Sequence, residues 1–294
     1  MKRKSIVCII FVMILSIVLI ENNEYIKGLQ YDITKNIPTR FEEKNGHINN
    51  IIEDKNIKVI AHRGRCSGEP ENSLSAINSS INTKVDYAEI DVQETRDGVV
   101  VLMHDKNLKR LTGVNKNVDQ LNFSQIEKLN IASSAHGNDI EKIPTLDEVI
   151  KQCKGKLNLI IEIKLYSNTA DLTNKVVKII ENNNFVSQCK IHSYSYRVLL
   201  NVKQLNSNIQ TGYIIYRPIS NLSSLNVDFY SVQENMITKE MVSDIHNGNK
   251  EIYAWTVDKT VNMNKLLKLN VDGIITDKPQ LLLNIKKKTD INKL

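Results

Sequence analysis

From residue 56 to its end, the 294-residue chain repeats one pattern: a short apolar run bounded by turn residues, then a stretch of helical periodicity. The runs cover Ile57 to Ala61, Tyr87 to Val92, Leu157 to Ile163, Lys190 to Tyr194, Gln210 to Tyr216, Asp228 to Val232, Glu251 to Val257 and Val271 to Thr276. Helical patterns between several of them cover Ser73 to Asn82, Thr145 to Cys153, Asp171 to Asn182, Thr238 to Asn247 and Thr260 to Leu269. Repeated units of that number and length predict an α/β fold, a (β/α)8 barrel of the TIM type. The weakest link runs from Arg217 to Val227, where Leu222 to Leu225 offers one helical turn.

One strand breaks the alternation. Val99 to His104 follows the second run after only Arg96-Asp97-Gly98, and a tight Asp-Gly turn cannot hold the crossover that a parallel pair needs. The two are expected to form an antiparallel β-hairpin, and a turn centred between Asp97 and Gly98 sets His104 across from Asp91. The stretch that follows, about 105–143, is long for a loop and short for a core of its own, and reads as a small inserted cap with a helix-like segment from Ser124 to Leu129.

The ends differ from the middle. Lys2, Arg3 and Lys4 precede an apolar run from Ser5 to Ile20, and Lys286, Lys287, Lys288 and Lys293 crowd the C-terminus, so the net charge of +6 resides at the termini. The balanced middle lacks the concentrated basic surface of a nucleic-acid binder. Residues 1–20 read as a signal-anchor or transmembrane helix. The run is short of the full hydrocarbon thickness but long for a cleaved signal; no pair of small residues in Ala-x-Ala register follows it, and Cys8 lies inside it. Positive charge before the run holds the N-terminus in the cytoplasm and sends the rest outward, anchored to the membrane, whereas cleavage would secrete it. Residues 21–55 read as a polar linker, 56–285 as the barrel domain and 286–294 as a basic tail. Cys66, Cys153 and Cys189 show no C-x-x-C spacing, so neither a zinc site nor a disulfide framework is expected. The sequence carries no oligomer signal.

In such a barrel reactive groups gather at the C-terminal ends of the strands. There the sequence places His62, Arg63 and Gly64, then Glu89 and Asp91, the hairpin's His104 and Asp105, Glu162 and Lys164, and finally Thr276 and Asp277. A period of two puts Glu89 with Asp91, and Glu162 with Lys164, on a shared face. Three carboxylates converging in a barrel mouth either take raised pKa values or share a divalent cation. With no imidazole on those strands, the choice falls on Mg²⁺ or Ca²⁺ over Zn²⁺. Arg63 and Lys164 beside such an ion make a positive pocket suited to an anionic substrate such as a phosphate ester. His62 and His104, with an unperturbed imidazole pKa of about 6.5, then supply the acid and base that phosphodiester cleavage requires.

The same residues carry a resemblance. Ala61-His62-Arg63-Gly64 with Pro70-Glu71-Asn72-Ser73, Glu89-Ile90-Asp91-Val92 with Thr95 and Asp97-Gly98, and His104-Asp105 with Leu108, Arg110 and Thr112-Gly113 follow one another. Glu162-Ile163-Lys164, Ala254-Trp255-Thr256-Val257 and Asp272-Gly273-Ile274-Ile275-Thr276-Asp277 with Pro279 complete the series. In this order, from Ile57 to about Pro279, the chain resembles the glycerophosphodiester phosphodiesterase family. The resemblance implies a metal-dependent barrel that cleaves glycerophosphodiesters, its small-molecule substrates, to glycerol 3-phosphate and an alcohol. It makes His62 and His104 the catalytic pair, Glu89, Asp91 and Glu162 the metal ligands and Arg63 a phosphate contact. It also places Glu71, Lys164 and Trp255 in the substrate site. Two positions depart from the family pattern, Tyr194 where Phe is usual and Asp258 where Asn is usual, both outside the catalytic set.

Some assignments stay open. Lys164 is either a phosphate contact or a carboxylate's partner, Trp255 either core filling or pocket wall, and Asp277 before Pro279 either a site residue or a helix cap. His47, His136, His192 and His246 have no companions in the pattern and receive no role. The competing enzyme is a phospholipase of the C or D type acting on membrane lipids or lysolipids. It requires an exposed apolar patch beside the mouth, whereas Asn115, Lys116, Asn117 and Asn122 in the insertion lean polar. A non-enzymatic scaffold on a dead barrel requires the loss of a ligand or a histidine, and all five are present.

Overall fold

A computed structural model describes residues 57–131, 141–166 and 169–291. The expected membrane helix, the linker, Cys8, His47 and His136 lie outside the described residues. Among the described residues no helix is long and apolar enough to cross a membrane.

The barrel elements run in chain order β1 (Lys58–Ala61), α1 (Leu74–Thr83), β2 (Tyr87–Glu94), β3 (Val100–Leu102), α2 (Leu146–Cys153), β4 (Asn158–Ile163), α3 (Thr169–Asn182), β5 (Cys189–Ser193), α4 (Tyr196–Leu205), β6 (Gln210–Ile215), β7 (Phe229–Gln233), α5 (Lys239–Asn247), β8 (Glu251–Trp255), α6 (Thr260–Lys268), β9 (Gly273–Thr276) and α7 (Pro279–Ile291). The parallel strands pair in the order β1-β9-β8-β7-β6-β5-β4-β2, and Ile60 and Ala61 pair with Tyr87 and Ala88 to close the ring. The result is the expected (β/α)8 barrel. Helix starts are set locally: Ser73, Thr145 and Thr238 accept the backbone N–H three residues on, and Thr145 forms a reciprocal capping box with Glu148.

Strand periodicity sorts side chains into two cores. Outward residues such as Val59, Ile90, Ile161 and Ile191 are buried under the helices. Inward residues Ile60, Ile160, Phe229, Tyr253 and Ile275 fill the barrel's middle. Glycine makes room there, since a Cβ on Gly212 would lie 2.1 Å from the Phe229 ring. Truncating such a core aromatic to Ala costs about 3–5 kcal/mol.

β3 pairs antiparallel with the end of β2, as the Asp97-Gly98 turn predicts, but the register differs from the expected one. Val92 faces Leu102 and Glu94 faces Val100. Thr95 N–H donates to the Val99 carbonyl and Gly98 N–H to that of Thr95, with Gly98 at φ 86. The loop therefore has three residues and ends on a left-handed glycine, which displaces the turn centre. Asp91 stands opposite Met103, whose amide donates to its carbonyl, and His104 lies one residue beyond.

The insertion also has more core than its length predicts. Val101 and Met103, from the hairpin's second strand, join Leu108, Val118, Ile126, Ile131 and Ile143 in a separate apolar cluster. Two short helices, Lys109–Thr112 and Phe123–Ile126, and a ribbon of Asn130–Ile131 with Glu141–Lys142 complete it. At the other end, the basic run read as a tail from residue 286 begins inside α7, where Leu282 is buried and Lys286 Nζ donates to the Ile57 carbonyl at 2.6 Å. Lysines in a last helical turn complement its dipole. Cys66, Cys153 and Cys189 are free thiols.

Candidate active site

The register of β2, β4 and β5 sets Asp91 opposite Glu162 and Glu162 opposite His192, with Glu89 one inward step back on β2. Of the residues expected from the sequence, His62, Arg63, Glu89, Asp91, His104, Glu162 and Trp255 line one pocket of about 110 Å³ at this end of the barrel. Glu71 and Lys164 are not among its lining residues.

Lys164 stands among the carboxylates. Its Nζ lies 2.8 Å from both Asp91 Oδ1 and Glu162 Oε1. Asn72 Nδ2 donates to Asp91 Oδ2 at 2.8 Å, and the Asp91 amide returns a bond to Asn72 Oδ1 at 3.0 Å. Burial pushes the Asp91 carboxyl up, but the charges of Lys164, His104 and Arg63 outweigh it and hold it well below the carboxylate range. For Glu162 burial wins. With Asp91 and Glu89 adding to it against the pull of Lys164, that carboxyl is pushed up to about 7.

Donor atoms of Glu89, Glu162 and His192, all buried, lie within 4.8 Å of one another. Two buried carboxylates, one of them driven toward protonation, and an adjacent imidazole form a donor set that a divalent cation fits, because its charge relieves their repulsion. His192, which received no role from the sequence, sits with Nε2 3.4 Å from Glu89 Oε1 and Nδ1 3.1 Å from Ser231 Oγ. Its signal was the strand period: Lys190, His192 and Tyr194 share the inward face, and the strand bearing them neighbours the one carrying Glu162. Asp91, by contrast, turns its oxygens to Lys164 and Asn72.

Each of the two expected catalytic histidines is held through Nδ1 by an aspartate. β1 runs beside β9 with Ala61 opposite Thr276, so His62 and Asp277 leave adjacent strand ends and meet at 2.9 Å. Asp258 fastens that partner, accepting the Asp277 amide and the Thr276 hydroxyl, both at 2.9 Å. Burial opposes the charged form of His62, but the Asp277 hydrogen bond and the Glu89 charge outweigh it, and its pKa is raised. His104 Nδ1 lies 2.8 Å from Asp105 Oδ1, while Asp105 Oδ2 accepts from Arg110 Nε at 2.6 Å. Burial pushes Asp105 up, yet Arg110 and His104 hold it at about 2. An ionised carboxylate only accepts, so both Nδ1 atoms donate.

Arg63 follows β1 at φ 52. Its amide donates to Glu89 Oε2 at 3.1 Å, its Nη1 to Glu71 Oε1 at 2.8 Å, and its Nε is buried with no hydrogen-bond partner among the described residues. Glu71 also accepts two bonds from Arg110, at 2.9 and 2.6 Å, so its oxygens are occupied by arginines. Trp255 is a half-buried wall: its Nε1 donates to the Ser231 carbonyl at 3.0 Å, and its ring meets Tyr194 edge-on at 6.2 Å between centroids.

Known proteins match the same stretch of chain. The model of the glycerophosphoryl diester phosphodiesterase family matches residues 62–281. A glycerophosphodiester phosphodiesterase of Caldanaerobacter subterraneus is 31% identical over 241 residues, covering 78% of this chain and 98% of its own. A glycerophosphodiester phosphodiesterase of Parabacteroides distasonis superposes with a TM-score of 0.70 at 22% identity, over 80% of this chain and 99% of that one. An Oleispira antarctica phosphodiesterase, solved in complex with the product sn-glycerol-3-phosphate, gives a TM-score of 0.70 at 23% identity over 77% and 95% of the two chains.

Proposed function

The chain belongs to the glycerophosphoryl diester phosphodiesterase family, and from that premise we propose that it hydrolyses glycerophosphodiesters to glycerol 3-phosphate and an alcohol by metal-dependent, two-histidine catalysis. The observation that carries this reading is the pair of imidazoles at one pocket, each donating through Nδ1 to an aspartate, beside a cluster of buried carboxylates. The product complex of the Oleispira antarctica phosphodiesterase supports the substrate class.

Arg63 Nε is buried with no hydrogen bond among the described residues and only an ion pair to Asp91 Oδ2 at 3.7 Å, so a phosphoryl oxygen can take that donor. His104 Nε2 takes the proton of the attacking oxygen as its bond to phosphorus forms. His62 Nε2 delivers a proton to the alcohol oxygen as the second P–O bond breaks. This order follows from the aspartates: Asp277 lends its charge to His62, whereas Asp105 divides its charge between His104 and Arg110. Glu89 and Glu162 would hold the divalent cation, with His192 or Asp91 as third donor. When bound, that ion polarises the phosphoryl oxygens and offsets developing negative charge.

A specific observation favours the second reading, a lysolipid-type substrate. Leu165, Tyr166 and Tyr216 are exposed on the loops after β4 and β6, at the same end of the barrel as the pocket. The apolar run from Ser5 to Ile20 supports tethering to a membrane with the barrel outside the cytoplasm. The test is hydrolysis of glycerophosphocholine and of lysophosphatidylcholine by the full chain, with Mg²⁺ or Ca²⁺ and with a chelator. Cation-dependent release of glycerol 3-phosphate and choline from glycerophosphocholine is expected; release of choline and lysophosphatidic acid, or of phosphocholine and monoacylglycerol, from lysophosphatidylcholine supports the second reading, and absence of turnover on both substrates overturns both.

A further inference from the structure

The hydrogen bonds around His104 do not end at its aspartate. Arg110 Nε donates to Asp105 Oδ2 at 2.6 Å, while its Nη1 and Nη2 donate to the two oxygens of Glu71 at 2.9 and 2.6 Å. One guanidinium thus uses three donors in its own plane to lock two carboxylates. Glu71 accepts from Arg63 Nη1 as well, so an unbroken chain joins Arg63, Glu71, Arg110, Asp105 and His104. The chain crosses from the β1–α1 loop to the insertion.

The insertion fixes where Arg110 stands. Leu108, two residues earlier, is fully buried in the satellite cluster with Met103 and Val118. Its amide donates to the Lys116 carbonyl at 2.9 Å, and Asn107 Oδ1 accepts the Lys109 amide at 2.9 Å. Gln93 Nε2 meanwhile donates to the carbonyls of Met103 and Asp105, at 2.8 and 2.7 Å, and pins the backbone on either side of His104. With that backbone fixed, what remains free is rotation of the imidazole and the choice of tautomer, and Asp105 controls both. Asp105 is itself a short side chain at a surface turn, and its orientation depends on Arg110.

We propose that Arg110 is a positioning residue: by clamping Asp105 against His104 and tying the pair to Glu71, it makes the packed insertion set the direction and tautomer of the His104 ring. This rests on the catalytic role proposed for His104. A lysine cannot replace it, because a single ammonium does not present the planar fork that meets both carboxylates.

The full chain is assayed on glycerophosphocholine. Arg110→Gln is expected to lower kcat about 10- to 100-fold with KM changed less than about threefold, and Arg110→Lys to recover only part of the loss. In a His104→Ala background, Arg110→Gln changes the residual turnover less than about twofold, since two residues acting through one imidazole are not additive. ¹⁵N NMR of the imidazoles, a readout independent of activity, reports Nδ1–H at His104 in the unaltered protein and a mixture in Arg110→Gln. Unchanged kcat in Arg110→Gln, or an equal second loss in the His104→Ala background, overturns the proposal. Full activity of His104→Ala defeats instead the catalytic assignment beneath it, and the proposal with it.

Discussion

Two buried lysines stand at opposite ends of the barrel, Lys164 at the mouth and Lys190 at the floor, and they solve opposite problems. At the mouth, Lys164 bridges Asp91 and Glu162, each at 2.8 Å, Arg63 Nε lies 3.7 Å from Asp91, and Glu89 stands beside them, so three carboxylates meet two cations. At the floor, Lys190 Nζ lies 2.6 Å from Glu251, which also pairs with Lys58 and accepts the Tyr253 hydroxyl, so ammoniums outnumber the carboxylate. The floor's excess is offset in part within the fold, because Lys190 lies over the rings of Tyr87, Phe229 and Tyr253 at 5.2 to 5.6 Å, although burial still lowers its pKa. At the mouth Lys164 answers Glu162 only in part, since burial still drives that carboxyl up to about 7. A buried charge cluster is a site where its own side chains leave the charge unanswered, and a strut where they answer it.

The comparison breaks most sharply on cation removal. Chelation is expected to reduce hydrolysis to background and Mg²⁺ or Ca²⁺ to restore it, while the floor and the barrel persist by circular dichroism. A chelated enzyme of undiminished rate would falsify the metal role. Next in size are His62→Ala and His104→Ala, each expected to lower kcat by about 10² to 10⁴ with folding intact. Normal turnover by either removes the acid/base assignment. Smaller again is the third donor: His192→Ala is expected to weaken cation binding by calorimetry about 10- to 100-fold. Weakening by Asp91→Asn alone, with His192→Ala silent, assigns that place to Asp91.

The same two regions show what the sequence reveals. All eight barrel strands were legible because apolar runs and helical stretches alternate without competition from another period. The hairpin was legible from Asp97-Gly98, but its register was not, because a three-residue and a two-residue loop share that dipeptide and only the backbone shows Gly98 closing the longer one. Glu89, Asp91 and Glu162 were legible because acidic residues inside apolar strands are conspicuous. His192 was not, since its inward direction emerges only when Lys190, His192 and Tyr194 are counted in twos beside the neighbouring strand. Glu71 and Asp277 pair with residues distant in sequence, Arg110 and His62, and no local pattern encodes such pairing. The basic run from Lys286 looked like a tail because charge was read ahead of the Leu281, Leu282 and Ile285 stripe that continues α7.

The floor supplies the smallest effect and the cleanest separation of strut from site. Glu251→Gln keeps the shape but leaves Lys190, only 5% exposed, without its carboxylate. With a third of Glu251 itself open to solvent, the expected loss is about 1–2 kcal/mol, with kcat unchanged. The loss should also depend on pH in one direction. Burial pushes the Glu251 carboxyl up, but Lys190, Lys58 and Tyr253 outweigh it and hold it at about 2, below its ordinary 4.5. A carboxyl depressed in the folded state contributes stability that is complete above about 4.5 and disappears as pH falls toward 2. The difference in melting temperature between the unaltered protein and Glu251→Gln should therefore be full at about pH 6 and shrink by about pH 3. A gap that stays constant across that window would mean that Glu251 serves the floor by packing and hydrogen bonding alone, and the opposition between an answered and an unanswered charge cluster would lose its electrostatic basis.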